Sequence, residues 1–77
     1  MITGSQVRAA KALLKWSGDT LAKNAGVAIS TIRRIEADDG VLANASIKTL
    51  DSIKIALQEG GVEFIGTPDH QPGVRLK

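Results

Sequence analysis

Two helix-length apolar patterns stand only three residues apart around Gly26, and this spacing limits the fold more than any other feature. Leu21, Ala22 and Ala25 lead up to the glycine; Val27, Ile32 and Ile35 resume the apolar pattern after it. A glycine adopts the left-handed backbone at low cost, so it can end one helix and turn the chain at once. Ser17 is a good N-cap, and Trp16 and Leu21 occupy the staple positions before and after it, which predicts a helix over about Gly18 to Asn24. The next helix is expected over about 28–37. At about 100° per residue, Ala28, Ile32 and Ile35 share one apolar face, Ser30, Arg33, Arg34 and Ala37 point the opposite way, and Ile29 sits on the flank. Ala22 is small where these two helices must approach each other.

The remaining elements follow from caps and spacing. Thr3 and Gln6 form a capping box, with Ile2 and Val7 at its staple positions. Val7, Ala10, Leu13 and Leu14 then carry a first helix from about Gly4 to Lys15. Asp38 to Asn44 read as a loop. A fourth helix is expected from about Ile47 to Gln58, capped by Ser46 or Asn44, with Ile47, Leu50, Ile53, Ala56 and Leu57 as its buried stripe and Gly60-Gly61 as its stop. Val62–Ile65 and Val74–Leu76 read as short strands around a loose connection over Gly66–Gly73 that carries both prolines. The expectation is a mainly α chain, with a four-helix domain at 1–59 and a C-terminal strand pair at 60–77 that packs on it or pairs across a dimer.

Composition removes several function classes. A chain of 77 residues is one domain with a thin core, and with no cysteine it has neither a disulfide nor a thiolate zinc site to brace it. A homodimer is the expected brace, with Val62, Phe64, Val74 and Leu76 as interface candidates. One Trp and one Phe are too few for a platform that stacks single-stranded nucleic acid. A single histidine, His70, in a turn-like segment and no cysteine nucleophile leave no catalytic set, so no enzyme activity, cofactor or metal is expected. Met1-Ile2-Thr3-Gly4 does not read as a signal peptide and no apolar run reaches membrane length, so a cytoplasmic protein is expected.

Charge is divided along the chain. Residues 1–37 carry Arg8, Lys11, Lys15, Lys23, Arg33 and Arg34 against Asp19 and Glu36; the rest carries Lys48, Lys54, Arg75 and Lys77 against Asp38, Asp39, Asp51, Glu59, Glu63 and Asp69. The net charge of +2 hides this division. It suggests one basic face suited to a polyanion.

Two short helices joined by a tight glycine-containing turn are a helix-turn-helix signature. The stretch from Trp16 to Glu36, with its pattern LAxxAGV…STIRRIE, resembles the phage-repressor-like (XRE/Cro-type) helix-turn-helix transcriptional regulators, and the resemblance covers about residues 3–58. It implies sequence-specific binding of double-stranded DNA, usually as a homodimer on a palindromic operator, with the third helix in the major groove. Leu21, Ala22, Gly26, Val27, Ile32 and Ile35 then form the core of the motif. Arg34 is the expected base reader, through a bidentate contact to guanine. Ser30 contacts a base edge or a phosphate, unless it caps the third helix. Ile29 meets a thymine methyl or is buried on the flank. Thr31, Lys23 and the main-chain N–H groups of Gly18 and Asp19 are phosphate candidates, as is Arg33 unless it pairs with Glu36. Arg8 and Lys11 are weaker ones.

The chain departs from the family pattern at three places. Gly18 stands where a glutamine often contacts phosphate, Ala28 where a Ser or Thr cap is usual, and Asp38 and Asp39 where a basic residue is common. An alternative reading is an antitoxin-like or adaptor protein that binds mainly another protein, suggested by the acidic C-terminal half and by strands able to add to a partner's sheet. A purely structural dimerisation module is a third.

Overall fold

The computed structural model describes residues 2–37, 46–67 and 69–77. Helix α1 spans Gly4–Leu14. Its capping box is reciprocal: Gln6 N donates to Thr3 Oγ1 at 3.1 Å and Thr3 N donates to Gln6 Oε1 at 2.9 Å. It stops one residue earlier than expected, because Lys15 turns left-handed (φ 57°). The N–H of Lys15 reaches Ala12 O and that of Trp16 reaches Lys11 O, which closes the last turn. Helix α2 spans Gly18–Ala25, capped by Ser17 on Thr20 N and ended by Gly26 at φ 70°. Helix α3 spans Ile29–Glu36 and α4 spans Ile47–Gly60. Ser46 is the cap of α4, accepting from Thr49 N at 3.1 Å. The expected loop Asp38–Asn44, with Asp38, Asp39 and the alternative cap Asn44, lies outside the described residues.

The four helices close on one apolar core: Ile2, Val7 and Ala10 from the α1 end, Leu21 and Ala22 from α2, Ile32 and Ile35 from α3, and Leu50, Ile53, Ala56 and Leu57 from α4. Each fully buried Ile or Leu stabilises the fold by roughly 1.5–3 kcal/mol. Three expected stripe members fall outside this core. Leu13 is 39% exposed and Ile47 is 74% exposed, because their helix faces meet no neighbouring element; Ala28 is exposed because it precedes the first turn of α3 instead of joining it.

Strand β1 (Val62–Thr67) pairs antiparallel with β2 (His70–Leu76). Val62 lies opposite Leu76, Phe64 opposite Val74, and the ion-paired Glu63 opposite Arg75. The strands run further than the sequence predicts, into the segment read as a loose connection. One reason is a register shift between Ile65 and Thr67 at Gly66 (φ 74°), which lets the chain turn while still paired. The other is Gln6, whose Nε2 donates to Gly73 O at 3.0 Å and to Ile65 O at 3.4 Å and so ties the hairpin to α1. His70 is exposed, as expected, but opens β2.

The sheet packs against α1 and α4. This changes the status of the four interface candidates. Val62 is fully buried in the chain's own core, so it presents no surface to a second copy. Phe64 and Val74 are half-buried against that core, with Lys54 Nζ 6.0 Å from the Phe64 ring centre. Leu76, 54% exposed, keeps an open face. Among the described residues no helix is long and apolar enough to cross a membrane.

Candidate nucleic-acid interface

The turn Gly26–Ala28 joins α2 to α3. Gly26 N bonds back to Lys23 O and Val27 N to Ala22 O, so both N–H groups leaving α2 are satisfied by carbonyls of its last turn. Leu21 and Ala22 on α2 and Ile32 and Ile35 on α3 are buried, with Ala25 and Val27 half-buried beside them. These contacts fix which way α3 faces.

The outward face of α3 carries Ser30, Arg33 and Arg34, all exposed. None of the three makes a side-chain hydrogen bond or ion pair among the described residues. Thr31 is half-buried at the edge of this face. Ala28, not Ser30, occupies the N-cap of α3, and it provides no side-chain acceptor. Ser30 lies within the first turn and is free for a ligand. Losing a capping side chain costs about 0.5–2 kcal/mol, which Ile32 and Ile35 offset by their burial.

The second alternative for Arg33 is also decided. Glu36 is held from α1: Lys11 Nζ lies 2.7 Å from its Oε1, and Arg8 Nη1 donates to its backbone oxygen. Arg8 Nη2 also reaches Ser5 Oγ at 3.2 Å. Arg8 and Lys11, weak phosphate candidates in the sequence, are therefore turned to the C-terminal end of α3. They anchor it, and a carboxylate and carbonyl occupy their donors.

Gly18 and Ile29 form a pair that sequence reasoning did not foresee. A Cβ on Gly18 would lie 3.3 Å from Ile29 Cδ1 and 3.8 Å from Ile32 Cγ2. Gly18 is small because the Ile29 side chain folds over it, and Ile29 is half-buried for the same reason. The small residue at 18 and the bulky aliphatic at 29 are thus the two sides of one contact. The signal for it was present: a glycine at the first position of one helix and a bulky aliphatic at the first position of the next. The contact sets the first N–H groups of α2, those of Gly18 and Asp19, beside the start of α3. These groups have no acceptor among the described residues, as expected in a first helical turn. Asp19 and Lys23 are both exposed, Asp19 in the first turn of α2 and Lys23 in its last.

Comparison of the sequence with family models and with curated proteins gives no match.

Proposed function

We propose that this chain is a sequence-specific double-stranded DNA-binding protein of the repressor-like helix-turn-helix kind, acting as a small cytoplasmic transcriptional regulator in the form of a homodimer. The observation that carries this reading is the unpartnered trio Ser30, Arg33 and Arg34 on a helix whose opposite face is locked into the core. On this reading α3 enters the major groove, Arg34 and Ser30 read base edges, and the exposed part of Ile29 meets a thymine methyl. The N–H groups of Gly18 and Asp19, with Lys23, Thr31 and Arg33, take phosphates. The carboxylate of Asp19 weakens that phosphate contact and favours a modest affinity.

The test is binding to a pool of random duplexes across a salt series, followed by sequencing of the bound fraction. Affinity that falls steeply with salt, with a palindrome recovered, is the expected result. Salt-insensitive or undetectable binding would overturn the reading. A second reading, as a module that binds another protein, is favoured by Ile47, Ile55 and Leu76, all more than half exposed and none on α3. It gains if the chain ignores DNA and co-purifies with a stable partner.

A further inference from the structure

A second site lies away from the outward face of α3, where the C-terminal turns of α2 and α4 meet. Trp16, Asn24, Ala56, Glu59 and Gly60 line an open cleft of about 230 Å³ there. Gly60 lets the indole in: a Cβ on it would stand 2.7 Å from Trp16 Cζ2 and 2.8 Å from Cη2. The ring is thus seated against α4 and half-buried, with part of its surface in the cleft.

The groups that line the cleft and the helix ends that meet there are negative or electron-rich, while Lys23 in the last turn of α2 and Lys77 near Gln58 are the cations of this end of the molecule. Glu59 carries a full negative charge, and neither it nor Asn24 makes a side-chain hydrogen bond or ion pair among the described residues. Helices α2 and α4 both end here, and a helix C-terminus carries about half a unit of negative charge. The last turn of α4 has no basic residue to offset it. The indole face is the electron-rich side of an aromatic ring and attracts cations. One cation is already drawn to this end of α4: Lys77 Nζ donates to Gln58 O at 3.3 Å.

We infer that this cleft binds a guanidinium cation, the Trp16 ring stacking on its plane while Glu59 and Asn24 accept from its edge. Size and shape select guanidinium. A flat cation stacks on an indole and presents several donors in one plane, which a compact ammonium does not. The cleft is smaller than the roughly 300–1,000 Å³ of sites for drug-sized ligands, which suits a small cation. The guanidinium belongs either to a free small molecule or to an arginine of a second copy of this chain. The inference does not rest on the DNA-binding reading, and neither outcome of the DNA experiment bears on it.

Trp16 is the only tryptophan and the chain has no tyrosine, so its emission reports this cleft alone. The experiment titrates the intact chain with ethylguanidinium at non-denaturing concentrations, following Trp16 emission and its indole N–H resonance. A parallel series dilutes the chain without ligand. A saturable change is expected in at least one series, weakened about tenfold in Glu59→Gln. Glu59 is exposed, so this variant should keep the wild-type melting temperature. Glu59-dependent saturation with ethylguanidinium and a flat dilution series identifies a free ligand; a Glu59-dependent change on dilution identifies the arginine of a second copy. A response that matches that of N-acetyltryptophanamide, or one that is the same in Glu59→Gln, would overturn the proposal.

Discussion

Helices α1 and α3 both display polar side chains, and they treat them in opposite ways. On α1, Gln6, Arg8 and Lys11 all bond to other parts of the chain: Gln6 to the hairpin, and Arg8 and Lys11 to Glu36 of α3. On α3, Ser30, Arg33 and Arg34 bond to nothing among the described residues, and the one charged residue that is held, Glu36, is held by α1. The difference separates groups that maintain the fold from groups that the fold does not use. A basic residue count alone merges the two, since Arg8 and Arg34 add equally to the charge of the N-terminal half.

The largest effect should come from the α1 side. Gln6 is buried and its amide serves three backbone groups: Thr3 N, Ile65 O and Gly73 O. Gln6→Ala leaves Thr3 N without its side-chain acceptor and cuts both bonds that tie the hairpin to α1, and a buried unsatisfied group alone costs about 1–3 kcal/mol. The expected loss is about 2–3 kcal/mol in urea unfolding, a large part of what a chain this small can have. A loss under half a kilocalorie would show that the hairpin holds without this tie.

The guanidinium pair draws the comparison most directly. Arg34→Ala should leave the melting temperature unchanged and weaken binding to a selected operator by about 1–3 kcal/mol, with relaxed preference at one base position. Arg8→Ala should do the reverse: a stability loss of about 1 kcal/mol, and an unchanged salt dependence of DNA binding in the folded protein. If the two variants exchange these outcomes, the assignment of α3 as the reading helix is wrong.

Legibility in the sequence follows range of interaction. The capping box at Thr3 and Gln6, the Ser17 cap and the Gly26 turn were readable because each is settled within a few residues. The stripe Leu50, Ile53, Ala56 and Leu57 was readable because periodicity names the face that turns inward. Periodicity does not say how far cover extends along that face, so it also put Leu13 and Ile47 inside. The full length of the strands depends on Gln6, some sixty residues away, and no local pattern reports that. At the candidate interface, the direction of Ser30, Arg33 and Arg34 was legible from helical spacing. Which donors were already occupied was not, because Arg8 and Lys11 meet Glu36 only once α1 and α3 pack.

The smallest effect tests a basic residue that belongs to neither group. Lys15 ends α1 in the left-handed conformation at φ 57°, just as Gly26 ends α2 at φ 70°. For a residue with a Cβ this conformation costs roughly 1 kcal/mol; for glycine it costs little. The backbone bonds that close the turn come from the N–H groups of Lys15 and Trp16 and do not need the lysine side chain, which is exposed. Lys15→Gly should therefore raise stability by somewhat less than about 1 kcal/mol, because glycine also widens the unfolded ensemble. Thermal unfolding measures it. The same variant removes one positive charge from the N-terminal half. If charge anywhere in that half served DNA equally, the salt dependence of binding would flatten; if only the free groups of α2 and α3 count, it stays as in the wild type while the fold becomes more stable.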